Sequence, residues 1–273
     1  SPMLGLIGMG GGATSLMWAG AGEEKFDMYS FGVNTSAWPA THPNQFFGTL
    51  GQNQSQFFKN SPVQVPGDWF KLYTGGVNGS YGMSVGGSKD EAGTLWMWGS
   101  NDFGNLGQNQ GPPGNDNKRS SPTQVGTATN WANASISRFC LGIRDEGGAG
   151  VNLWSWGCNQ YGELGHNNTT DYSSPKMLGG TNWSKDPFTL VASAPNAGQN
   201  AFAIKSNGTL WAWGQNSGGQ IGDNGPANQP YSSPKQIGTD TDWKSLMLGS
   251  CTLAGAIKTN GTLWVWGLGN SGG

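Results

Sequence analysis

The strongest constraint on this chain is a pentapeptide that keeps returning. Leu-Trp-x-Trp-Gly occurs as Leu95-Trp96-Met97-Trp98-Gly99, Leu153-Trp154-Ser155-Trp156-Gly157, Leu210-Trp211-Ala212-Trp213-Gly214 and Leu263-Trp264-Val265-Trp266-Gly267. A worn copy, Met28-Tyr29-Ser30-Phe31-Gly32, precedes them. From Tyr29 onward the intervals are 67, 58, 57 and 53 residues. A period of this size means one supersecondary unit used five times, so the repeat decides the architecture before any other feature.

Each unit carries further landmarks in fixed order. Gly-x-Asn-x-x-Gly-x-Leu/Ile-Gly-x-Asn follows the tryptophan pair, as in Gly99 to Asn109, Gly157 to Asn167 and Gly214 to Asn224. A Ser-Pro comes next, at Pro62, Pro122, Pro175 and Pro234, with Pro2 as a fifth. Then come Asp68-Trp69, Asn130-Trp131, Asn182-Trp183 and Asp242-Trp243. Trp at i and i+2 places both indoles on one face of a strand. Asn207-Gly208 and Asn260-Gly261 lie between two strand patterns and predict tight two-residue hairpins. No segment shows a 3.6-residue period. The expectation is an all-β chain: a β-propeller of four-stranded antiparallel blades with five repeats visible, either complete or part of a six- or seven-bladed ring. One domain covers 1–273, with units at about 1–60, 61–120, 121–173, 174–232 and 233–273. The last unit stops inside its glycine loop, which suggests a longer natural chain.

Gly-Thr-Leu-Trp-x-Trp-Gly-x-Asn-x-x-Gly-x-Leu-Gly and the following Ser-Ser-Pro resemble the regulator of chromosome condensation repeat, a β-propeller family usually of seven blades. The resemblance covers nearly the whole chain.

Composition bounds what such a scaffold does. Only 11% of residues are charged and the net charge is -2, so no basic surface exists to hold nucleic acid phosphates. No apolar run is long enough for a membrane span, and the first residues do not read as a secretion signal. Cys140, Cys158 and Cys251 sit at unrelated repeat positions and read as small buried side chains rather than a disulfide set or a metal site. His42 and His166 are the two histidines. His166 stands where sister units have Gln108 and Asp223, and Glu163 where they have Asn105 and Gln220, so neither is read as catalytic. No catalytic residue, metal ligand or cofactor is assigned.

Binding is expected where the copies disagree, because regular positions are consumed by packing. The largest insertion follows the worn copy, and Trp38, His42, Asn44, Phe46 and Phe47 are its candidate contacts. A second irregular loop offers Asn115, Asp116, Lys118 and Arg119. The recurring Trp96, Trp98, Trp154, Trp156, Trp211, Trp213, Trp264 and Trp266 are assigned to packing between blades.

Low charge, abundant Gly, Asn and Thr, and near-identical repeats resemble the propellers of this family in bacteriophage and bacterial surface proteins. The functional expectation is a non-enzymatic virion structural or adhesive protein, a phage tail, fibre or capsid-decoration component. Its partners would be other virion proteins, a cell-surface receptor or a glycan, without nucleic acid or membrane insertion, in a homo-oligomer or larger assembly. Its location would be the virion or an extracellular surface. Two alternatives stand beside this: a carbohydrate- or protein-binding, inhibitory bacterial surface propeller, and a guanine-nucleotide exchange regulator of a small GTPase.

Overall fold

The structure is a computed structural model. It describes residues 15–17, 26–33, 50–53, 58–74, 85–90, 92–110, 118–186, 188–193, 199–226, 228–248 and 253–267. Trp38, His42, Asn44, Phe46, Phe47, Asn115 and Asp116 lie outside these residues, as does Cys251.

The described chain folds into antiparallel sheets, each built from consecutive strands. The first comprises β1 (Ser15–Met17), β2 (Phe26–Val33) and β3 (Phe58–Trp69). The second comprises β4 (Lys71–Thr74), β5 (Val85–Lys89), β6 (Leu95–Gly99) and β7 (Arg119–Gln124). The third is β8 (Trp131–Ile136), β9 (Phe139–Asp145), β10 (Val151–Gly157) and β11 (Tyr172–Leu178). The fourth is β12 (Leu190–Ser193), β13 (Asn200–Ile204), β14 (Leu210–Gly214) and β15 (Tyr231–Gln236). The fifth holds β16 (Trp243–Leu248), β17 (Leu253–Lys258) and β18 (Leu263–Gly267). Each is a meander, as expected of propeller blades.

The leading strands of successive blades touch: β4 packs on β8, and β12 packs on β8 and on β16. The core therefore lies between sheets rather than within one. One layer joins Leu141, Ile143 and Leu153 to Ala201, Ala203 and Trp213 of the next blade. Others join Leu95, Met97 and Leu106 to Trp131, Cys140 and Trp156, and Phe202, Leu210 and Ile221 to Trp243 and Leu246. In β18, at the edge of its sheet among the described residues, Leu263, Trp264 and Val265 are 58%, 51% and 55% exposed.

The hairpins differ from the two-residue turns that Asn-Gly predicts. Lys205 N donates to Thr209 O and Gly208 N to Lys205 O, leaving a three-residue loop in which only Gly208 has positive φ (+77°). This is a type I turn closed by a left-handed glycine. Asn207 is there for its side chain, whose Oδ1 accepts from Thr209 Oγ1 at 2.8 Å. Asp90 to Thr94 closes with the same two backbone bonds.

Candidate functional site

The repeat places a tryptophan triad on each complete blade. In the third blade Trp131 packs edge-on against both Trp154 (6.4 Å between ring centroids) and Trp156 (5.7 Å). Trp183 packs edge-on against Trp211 and tilted against Trp213, and Trp243 packs edge-on against Trp264 and Trp266. Trp69 joins Trp96 and Trp98. The shared face follows from the two-residue strand period.

The two indoles of each pair have different work. Trp98, Trp156 and Trp213 are fully buried. Trp156 Nε1 donates to Asn105 O at 2.9 Å, Trp213 Nε1 to Glu163 O at 2.7 Å and Trp266 Nε1 to Gln220 O at 2.8 Å. Each bond reaches from one blade into the glycine loop of the blade before it. The leading indoles are less enclosed, and Trp96, Trp154 and Trp211 are half-buried. Trp211 Nε1 donates to Thr209 Oγ1 at 3.0 Å.

A cation covers most of these half-buried indoles. Arg144 lies 4.4 Å above Trp154 and 5.6 Å from Trp131. Lys205 sits 4.4 Å from Trp211 and 5.0 Å from Trp183. Lys258 is 5.0 Å from Trp264 and 4.9 Å from Trp243, and its hydrogen bonds to Asp240 and Asp242 raise its pKa. An ammonium or guanidinium over an indole face is attracted by the ring quadrupole. Sequence reasoning missed these cations. The signal was a Lys five residues before the motif leucine in the fourth and fifth units; a longer hairpin hides it in the third.

The glycine loops explain the rest of the motif. Asn101, Asn159 and Asn216 are buried, and each Oδ1 accepts a loop N–H, from Leu106, Leu164 and Ile221 at 2.9, 2.9 and 3.1 Å. Two of these loops then close on the next blade: Asn109 N donates to Ser173 O and Asn167 N to Ser232 O, the serines two residues before Pro175 and Pro234. Gly162 lets the backbones meet, since a Cβ there would lie 2.4 Å from Ser232 Cα.

Glu163 is a fully buried carboxylate in such a loop. Its Oε2 accepts from Tyr161 N at 2.6 Å. In the amide orientation that satisfies both neighbours, Gln199 donates to Glu163 Oε1 at 2.5 Å and accepts from Arg138 Nη1 at 3.0 Å. Burial pushes the Glu163 pKa up to about 7 against the lowering by these bonds and by Arg138. Burial also pushes Cys140 and Cys158 up to about 12, so both thiols are protonated and inert at neutral pH. The His166 ring packs edge-on against Tyr172 and lies 3.0 Å from Ser155 Oγ; burial lowers its pKa to about 4. Ser155 Oγ already donates to Leu164 O, so this pair ties a loop to its strand and is no activated nucleophile. Of the second irregular loop, Arg119 donates to Gln110 Oε1 at 2.6 Å and Lys118 is half-buried beside it.

The profile of the Regulator of chromosome condensation (RCC1) repeat matches residues 92–141 and 152–194. Structures of that family superpose on the chain: Prp20p from Saccharomyces cerevisiae, described with its binding properties to Gsp1p and histones, gives a TM-score of 0.65 at 18% identity. That match covers 88% of this chain and 54% of Prp20p. The chain carries RCC1 repeats and shares the fold of RCC1-repeat β-propellers. Among relatives, the mitochondrial RCC1 domain-containing protein RUG3 of Arabidopsis thaliana is 29% identical over 81% of the chain and 47% of its own length. The ultraviolet-B receptor UVR8 of the same plant is 29% identical over 67% of the chain and 39% of its own length. The RCC1-repeat chain thus spans less than half of each of these relatives, neither of which is named as an enzyme.

These likenesses correct three expectations. The matched proteins are eukaryotic RCC1-repeat proteins, so a phage tail, fibre or capsid-decoration function is set aside. Virion proteins and a cell-surface receptor are withdrawn as partners, and the virion or extracellular surface as location. The physical reason for the misreading lies in the loops. Asn, Gly, Thr and Trp are abundant because the repeat needs them for loop pins, close approaches, hairpin acceptors and triads. That composition reports the fold rather than a habitat.

Proposed function

We propose that this chain is a regulatory propeller that binds a protein partner and catalyses no covalent chemistry. The partner class favoured is a small GTPase, on which it would promote guanine-nucleotide exchange. The supporting observation is the likeness across 88% of the chain to Prp20p, whose own binding to Gsp1p is part of its description. The burial of Glu163 and the tying of His166 into packing fit a body that acts by contact. A single propeller domain over 1–273 is part of this reading. So is partner contact by the insertion residues Trp38, His42, Asn44, Phe46 and Phe47, with Asn115, Asp116, Lys118 and Arg119 as the second contact.

The test is release of fluorescent GDP from a panel of small GTPases with substoichiometric chain. Acceleration of at least tenfold for one of them is expected, and it should drop when residues 36–46 are deleted. A panel with no acceleration and no complex by gel filtration would overturn the reading.

A further inference from the structure

Three blades close their tryptophan cage with a cation, and in one of them no anion attends it among the described residues. Strand register fixes the position: Ile143, Ile204 and Ile257 pair with the motif leucines Leu153, Leu210 and Leu263, and the next residues are Arg144, Lys205 and Lys258. Arg144 Nη2 lies 3.5 Å from Glu146 Oε1, and its Nε donates to Asn130 Oδ1 at 2.9 Å. Lys258 Nζ pairs with Asp240 at 2.6 Å and with Asp242 at 3.0 Å. Lys205 rests on Trp183 and Trp211, and no carboxylate of the described residues meets it. Residues 178–186 and 199–214, which build this cage, are all described.

The fourth blade lacks both of the acids that the fifth provides. The approach to the first indole reads Asp240-Thr241-Asp242-Trp243 in the fifth blade and Gly180-Thr181-Asn182-Trp183 in the fourth. Asn182 is the neutral counterpart of Asp242. It has a left-handed backbone (φ +66°), and its exposed side chain makes no hydrogen bond among the described residues, whereas Asn130 bonds its cation. Gly180 stands in the place of Asp240. Chain neighbours aside, a Cβ there would have only Lys205 Nζ within 4 Å, at 3.7 Å. The side from which Asp240 reaches its lysine is therefore open beside Lys205. A cavity of about 540 Å³ is lined by Trp183 and Lys205, and its other titratable residues are Lys185, Lys244 and Asp186. Lys185 is paired with Asp145, while Lys244 has no ion pair among the described residues. The charge around the cage is thus positive.

We propose that the fourth-blade cage binds a carboxylate supplied from outside the chain: an aspartate or glutamate side chain of an acidic peptide segment. The indole faces hold the ammonium in one place, so less side-chain freedom is lost when an anion docks on it. The fifth blade shows the same lysine on the same pair of indoles taking carboxylates from its own chain. That the acid belongs to a protein partner rests on the proposed function; the affinity of the cage for a carboxylate does not.

The test uses the whole chain with 15N-labelled tryptophan, titrated at constant ionic strength with acetyl-Gly-Glu-Gly-Glu-Gly-amide and with its glutamine counterpart. Saturable shifts of the Trp183 and Trp211 indole N–H signals are expected with the glutamate peptide and not with the glutamine peptide. The Trp243 and Trp264 signals should stay in place, because Lys258 is already paired. Lys205→Met keeps the packing and should weaken binding about tenfold or more, whereas Lys205→Arg should retain it. Gly180→Asp supplies the acid internally and should abolish the response. The positive φ of Gly180 (+87°) strains that variant, so Lys205→Met carries the test should Gly180→Asp misfold. Undiminished binding by Lys205→Met, an equal response to the glutamine peptide, equal shifts at the fifth-blade indoles, or no saturable shift up to about 10 mM peptide would overturn the site. GDP release has no part in this measurement, so failure of the exchange reading and failure of the carboxylate site are separable.

Discussion

The indole Nε1 of Trp213 donates to the main-chain carbonyl of Glu163 at 2.7 Å, a bond from the fourth sheet into the loop of the third. Both residues are fully buried. Trp213→Phe leaves that carbonyl without its donor in a dry setting, a loss of about 1–3 kcal/mol. Trp211→Phe, two residues earlier, forfeits the Thr209 bond and part of the Lys205 contact on a half-buried face, about 1 kcal/mol. Urea unfolding of both variants should rank Trp213→Phe as the more damaging. Equal losses would show that the inter-sheet bond is not what the buried indole contributes.

Glu163 gives the chain a pH signature of unusual sign. Burial raises its folded pKa from 4.5 to about 7, so the folded state holds the proton more tightly than the unfolded state. Its contribution to stability is complete below pH 4.5, falls as pH rises through 7, and is flat above. His166 runs the other way: its pKa is lowered from 6.5 to about 4, so stability is lost as pH falls from 6.5 towards 4. Glu163→Gln, the residue type of sister position Gln220, isolates the first effect. The variant should gain up to about 3 kcal/mol over the parent at pH 8 and little at pH 4.5. A difference that does not change with pH would refute the assignment.

Gly162 and Gly126 both have positive φ, +80° and +59°. Only Gly162 faces a backbone, with the Cα of Ser232 2.4 Å from where a Cβ would stand; nothing lies within 4 Å at Gly126. Gly126→Ala should cost about 1 kcal/mol for its backbone conformation alone. Gly162→Ala adds the clash, and we expect at least twice that loss, together with faster hydrogen exchange in β15. Similar losses at both sites would mean the loop retreats freely from the next blade.

Lys205 and Lys258 cover equivalent indoles with different company. Lys258 is ion-paired to Asp240 and Asp242, whereas the contacts of Lys205 are with Trp183 and Trp211. Lys205→Met should cost about 0.5–1 kcal/mol, little changed between 0.05 and 0.5 M salt as experimental settings. The loss from Lys258→Met should shrink over that range. Identical salt responses would contradict the distinction.

The blade was legible in the sequence because the tryptophan pair and Asn-Gly mark strand and turn directly. The direction of the loops was not. Nothing in Gly-x-Asn-x-x-Gly says that Asn167 bonds Ser232 of the next blade rather than Ser173 of its own. The cation cages were hidden for a related reason: Lys205 is local in sequence to Trp211 but distant from Trp183, and only the fold joins the three. Habitat was misread because the same Asn and Gly that pin loops also mimic a surface protein's composition.

Among the described residues each glycine loop is bonded to the blade that follows it, so the molecule has a polarity that a symmetrical stack would lack. Loosening one blade leaves two different wounds. Its predecessor is left with an ungripped backbone of Gly and Asn, wettable and inclined to fray. Its successor is left with a bare indole, such as Trp213 without Glu163, which seeks other apolar surface. Coupling between neighbours of this kind spreads a local defect as solvation in one direction and as stickiness in the other.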